Sequence, residues 1–228
     1  MITYSDSLPS KPSEWIWDPP HISGLDEQSR HRFPNETNVK YVCAKLFNGG
    51  MHQNCMASVI LEHYIAYYDF DYVVELGSAY GALSTYMANM AGASERFIFE
   101  TYDCFRDGHW SNKPMGGIGH WFDKVSTLSP LINSFNKDVF SDEVKQHITN
   151  TSKNRKTLIL CDGGDKIKEF AYYSPILKEG DCLMVHDWGV EIDQPDIDAN
   201  NSHNLRLDTT FEPYFTTFET LWRPFIKE

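Results

Sequence analysis

The residues best equipped for chemistry lie in two short segments, Cys161-Asp162-Gly163-Gly164-Asp165 and Val185-His186-Asp187-Trp188. Each follows an apolar run of strand character, which puts Asp162, His186 and Asp187 at the ends of two strands. Strand ends in open α/β sheets line the crevice where ligands bind. Two carboxylates and an imidazole meeting there would shift one another's proton affinity or hold a divalent cation. Oxygen ligands favour magnesium, and the imidazole makes manganese or iron easier to accommodate. In the metal-free alternative His186 or Asp187 serves directly as a base.

A second constellation precedes these. Glu75-Leu76-Gly77-Ser78-Ala79-Tyr80-Gly81 reads as a strand ending, a glycine turn and a helix start. Glycines suit a sharp bend that lets a ligand approach the backbone, and the amides of the following helix start can hold a ligand's polar groups. The spacing is G-x-x-x-G, whereas a dinucleotide site would want G-x-G-x-x-G, so a nicotinamide oxidoreductase is the weakest reading. Glu100 ends another apolar run, where a carboxylate could accept both hydroxyls of a ribose; Asp103 competes for that role. Asn136-Lys137-Asp138-Val139-Phe140 offers a further acceptor in Asp138, or an ordinary turn aspartate before a helix.

The elements that must position these residues alternate in type. Helical spacing over Met51–Tyr68 precedes a strand at Tyr72–Leu76, a helix at Ala82–Ala91 and a strand at Arg96–Glu100. Strands at Lys156–Leu160 and Asp181–Val185 flank a helix from about Lys166 to Leu177, stopped by Gly180. This alternation predicts an α/β fold with a doubly wound, mostly parallel sheet and helices on both faces. Residues 189–204 read as an acidic loop, and Thr216–Glu228 as closing edge strands in which Pro224 limits hydrogen bonding. The proline-rich residues 1–38 read as an irregular arm, with one domain over 39–228.

Glu75 to Gly81 resembles the first motif of class I S-adenosylmethionine-dependent methyltransferases, whose loop cups the methionine part of the cofactor. The resemblance implies a seven-stranded Rossmann-like sheet. It also implies cofactor contacts from Glu75, Gly77, Ser78, Tyr80, Gly81, Glu100, Asp138 and Asp162, with Asp138 and Phe140 on the adenine side. The Asp162 and His186-Asp187 pair of segments is similar to the metal-binding pair of cation-dependent O-methyltransferases, especially the macrocin-type and cephalosporin-hydroxylase-like group. That group implies magnesium or another divalent cation on Asp162, His186 and Asp187, although it usually carries Asp or Glu where this chain has His186. Against catechol-type relatives, the third ligand would fall at Trp188, which cannot bind a metal. Lys166 lies one residue off their catalytic lysine and otherwise reads as a solvated helix-start lysine.

Composition narrows the partners. With 32 acidic against 20 basic side chains the formal charge is -12, which opposes binding to nucleic acid. No run approaches the length of a membrane helix, and no secretory start is present, so a cytoplasmic protein is expected. The five cysteines have no paired spacing and read as reduced. His52, His109 and His120 read as structural. The expected activity is methylation of a small hydroxylated acceptor. The rivals are an S-adenosylmethionine-binding protein without transferase activity, or N- or C-methylation, and self-association into a homo-oligomer stays open.

Overall fold

The computed structural model describes residues 55–78, 82–103, 132–217 and 220–228. The arm, His52, Tyr80, Gly81, His109 and His120 lie outside them. Helix α1 (Cys55–Tyr68) leads into strand β1 (Tyr72–Leu76), then α2 (Ala82–Ser94) and β2 (Ile98–Asp103). Strand β3 (Ile132–Asn136) is followed by α3 (Asp142–Ser152), β4 (Thr157–Cys161), α4 (Lys166–Tyr173) and β5 (Cys182–Val185). The chain closes with α5 (Gln194–Asn200), β6 (Leu205–Leu207), α6 (Glu212–Thr217) and β7 (Arg223–Lys227).

The strands form one seven-stranded sheet in the order β3-β2-β1-β4-β5-β7-β6. β1 to β5 run parallel, and β7 runs antiparallel between β5 and β6. β1, β4 and β5 are buried along their whole length, as expected of parallel strands covered on both faces. One apolar cluster joins α1, α2 and α6 to one face through Ile60, Tyr64, Val73, Met87, Leu160 and Phe215. The other joins α3, α4 and α5 to the opposite face through Val74, Val144, Ile159, Phe170, Leu183 and Ile197. Removing each such side chain from water contributes about 1.5–3 kcal/mol, so both helical layers are fixed to the sheet that carries the site.

Several boundaries depart from the sequence reading. β2 extends to Asp103, because Thr101 and Tyr102 continue the pairing opposite Glu75 and Leu76. The acidic segment contains helix α5, started by a reciprocal capping box between Asp193 and Asp196. β7 is an interior strand that accommodates Pro224 opposite Met184; the edge strand is β6. Among the described residues no helix is long and apolar enough to cross a membrane.

Candidate active site

The parallel order brings the carboxyl ends of β1, β2, β4 and β5 to one edge. At the end of β1, Gly77 has φ +94°, and a Cβ there would lie 2.5 Å from the Asp162 carbonyl oxygen and from Gly163 Cα. The glycine is thus demanded by the close crossing of the β1 and β4 turns as well as by its left-handed backbone. Asp162 donates its amide to the Leu76 carbonyl at 2.9 Å and Gly77 donates to Tyr102 at 2.8 Å, which ties the three tips together. Ser78 donates its amide to Asp103 Oδ2 at 3.0 Å, and its hydroxyl meets that of Thr101 at 2.5 Å.

Glu75 and Glu100 do not line an open face. Glu75 is buried, and its Oε2 accepts from the hydroxyls of Ser84 and Thr101, so it tethers the start of α2 to β2. Burial pushes its pKa up to about 8, against those hydroxyls, which favour the ionised form. Glu100 lies mid-strand opposite Val74, where Tyr72 and Tyr102 donate to Oε2 at 2.5 and 2.8 Å and His147 Nε2 approaches Oε1 at 3.1 Å. The expectation that Glu100 closes the second strand is therefore corrected. Asp103 closes it, three residues on, and an odd shift along a strand moves the side chain to the other face. Asp138 sits in the turn between β3 and α3, where its Oδ1 accepts the Phe140 amide at 2.9 Å. The Phe140 ring lies under the Lys168 ammonium, 3.8 Å from its centroid.

Asp162, His186 and Asp187 do converge. Their ligand atoms all lie within 4.8 Å of one another. His186 Nδ1 is 2.8 Å from Asp162 Oδ1 and 3.2 Å from Asp187 Oδ1. Close as they are, neither oxygen forms a hydrogen bond with the nitrogen, and Nδ1 is buried without one. The ring packs against buried Trp222 with centroids 4.6 Å apart. Asp187 holds a left-handed backbone, φ +56°, and its carbonyl accepts from Val190 and Glu191 in a tight turn. Aspartate tolerates that region better than most residues, so the turn can hold the Asp187 carboxylate at the strand end.

That turn explains a residue the sequence reading placed in solvent. Lys166, at the start of α4, is buried and pairs with Asp187 Oδ2 and Glu191 Oε2, each at 2.7 Å. Burial opposes its charge, but the two carboxylates outweigh burial and hold its pKa above the ordinary value. His186 behaves alike: burial opposes the charged ring, yet Asp162 and Asp187 raise its pKa to about 9. Asp187, paired with His186 and with Lys166, is held far below the usual carboxylate range. Beneath the β4 turn lies Glu169, whose Oε2 accepts the Gly163 amide at 3.3 Å. Burial raises its pKa to about 8, against that amide. Trp222 and Glu169 carried no motif; Glu191 stood only within the acidic run.

No protein-family model matches the chain, and no curated protein matches its sequence. Solved structures do match. The TDP-rhamnose 3′-O-methyltransferase of calicheamicin biosynthesis superposes with a TM-score of 0.53 at 13% identity, covering 90% of this chain and 96% of that one. A Staphylococcus aureus protein assigned as a caffeoyl-CoA O-methyltransferase gives 0.50 at 12% identity, covering 89% and 100%. The chain shares the seven-stranded, Rossmann-like α/β fold of these proteins. In that fold the described edge runs unbroken from Asp103 through Ser78, Gly77, Asp162 and His186 to Asp187 and Lys166. The sheet edge therefore presents a strand-end carboxylate, a glycine bend and a charged lip side by side.

Proposed function

We propose that the chain is an S-adenosylmethionine-dependent methyltransferase that acts on a hydroxyl of a small acceptor, with a divalent cation held by Asp162, His186 and Asp187. The observation that carries this reading is the unbroken contact path along one sheet edge, from Asp103 at β2 to Asp187 at β5, on a methyltransferase fold. In this reading the turn at Gly77 and Ser78 receives the methionine end of the cofactor. Asp103 replaces Glu100 as the acceptor for the ribose hydroxyls, and Asp138 borders the adenine.

Methyl transfer is an in-line displacement: the acceptor oxygen bonds the methyl carbon, the carbon–sulfur pair returns to sulfur, and the hydroxyl proton leaves to water. The work of the protein is to align the oxygen and lower the cost of that proton. Asp162 and Asp187 favour the charged form of the His186 ring, which makes it a poor base as it stands; a dication at the two carboxylates would displace that proton and take the nitrogen as a ligand. The donor set fits a cation, since buried Nδ1 lacks a hydrogen bond and faces two carboxylate oxygens. A bound dication would lower the pKa of a hydroxyl that touches it. Lys166 keeps Asp187 oriented.

The experiment is transfer of a labelled methyl group from S-adenosylmethionine to a panel of catechols and nucleotide-linked sugars, with products located by mass spectrometry. Label on an oxygen, together with S-adenosylhomocysteine, is the expected result. Cofactor binding without product from hydroxyl, amine or carbon acceptors would overturn the transferase reading.

A further inference from the structure

We infer that His186 makes this lip a mixed nitrogen–oxygen site that selects a first-row transition cation, such as Mn²⁺, Fe²⁺ or Co²⁺, over Mg²⁺ and Ca²⁺. The inference rests on the cation reading above and departs from it in the identity of the ion. A cluster of carboxylates alone would not carry it, because acidic groups often meet without an ion. The imidazole supplies the second, independent observation. Its side chain is only 6% exposed, and Nδ1, turned towards both carboxylates, makes no hydrogen bond. A buried nitrogen without a well-directed hydrogen bond is unfavourable, and coordination is one way to recover it.

The spacing suits a shared ion. Ligand atoms at right angles around an ion with bonds of about 2.1 Å lie about 3.0 Å apart. The separations from Nδ1 to Asp162 Oδ1 and Asp187 Oδ1, 2.8 and 3.2 Å, straddle that edge length. Lys166 answers the obvious objection that an ammonium sits beside the site. It pairs with Oδ2 of Asp187 and with Glu191, leaving Oδ1 turned to His186, as an outer partner that orients a ligating carboxylate. Trp222 fixes the ring from behind. Imidazole nitrogen is a poor ligand for Mg²⁺ and Ca²⁺ and a good one for transition ions, whose affinity rises from Mn²⁺ to Co²⁺.

The test uses the full chain stripped with chelator, without cofactor or acceptor. Calorimetric titration is expected to give Co²⁺ and Mn²⁺ affinities at least tenfold tighter than Mg²⁺. Electron spin-echo modulation of bound Mn²⁺ is expected to show a directly coordinated nitrogen. His186→Asp should erase the nitrogen signal and bring Mn²⁺ and Mg²⁺ within about threefold of each other, while circular dichroism confirms the fold. If that variant misfolds, the nitrogen signal and the ion preference of the wild type decide alone. Equal affinity for Mg²⁺ and Mn²⁺, bound Mn²⁺ without a nitrogen ligand, or no binding of any of these ions would overturn the inference. Failure of methyl transfer with the preference intact would instead overturn the functional reading.

Discussion

Asp187→Asn is expected to lower turnover by at least 100-fold, about 2.7 kcal/mol in the barrier, while the affinity for S-adenosylmethionine changes less than threefold. Asparagine is the informative replacement because it tolerates the left-handed region as well as aspartate does. The φ of +56° at this position is then preserved, and the loss reports charge and not backbone. The variant keeps the shape of the lip but removes the negative charge shared by His186 and Lys166. Glu191 still pairs with Lys166, so the buried ammonium is not abandoned and the fold survives. Turnover within threefold of the wild type, measured at saturating cofactor and acceptor, would remove Asp187 from the chemistry. Asp162→Asn should behave in the same direction, since its carboxylate faces the same nitrogen.

The second large effect concerns the cofactor. Asp103→Ala should weaken S-adenosylhomocysteine binding by at least tenfold in calorimetry, whereas Glu100→Gln should leave it within threefold. The contrast follows from position. Asp103 ends β2 and meets the Ser78 amide, while Glu100 is enclosed by Tyr72, Tyr102 and His147. Removing Asp103 also frees the Ser78 amide, so the affinity loss alone does not separate ribose recognition from support of the turn. A 2′,3′-dideoxy analogue of the ligand separates them. If Asp103 holds the ribose hydroxyls, the analogue binds the wild type and Asp103→Ala equally weakly, which is the logic of a double-mutant cycle. An undiminished tenfold gap with the analogue would make Asp103 a support for the turn only.

Much of the fold was legible because the parallel strands are short, continuous apolar runs such as Tyr72–Leu76, separated by helical patterns. Alternation of this kind leaves few architectures. The site was legible where chemistry sits directly at a strand end, as with Asp162 and His186-Asp187. It was misread where a strand's end depends on its neighbours. Nothing local distinguishes Glu100 from Asp103 as the last residue of β2; the pairing of Thr101 and Tyr102 with β1 decides it. Lys166 was misread for a related reason. A lysine at a helix start is usually solvated, and its partners arrive from a turn more than twenty residues later in the chain. Helix α5 carried usable signals, a capping aspartate at Asp193 followed by Pro195 in the first turn. They were outweighed by a polar composition that resembles a loop.

Hydrogen exchange of the wild type with and without S-adenosylhomocysteine tests the central claim most directly, because it reads where the ligand lies without presuming an acceptor or an ion. Slowed exchange is expected in peptides that contain Gly77 and Ser78, the end of β2 at Asp103, and the turns that follow β4 and β5. No slowing at these tips, or slowing confined to the opposite edge near Asp71, Lys156 and Asp181, would contradict a cofactor crevice at the carboxyl ends of the strands.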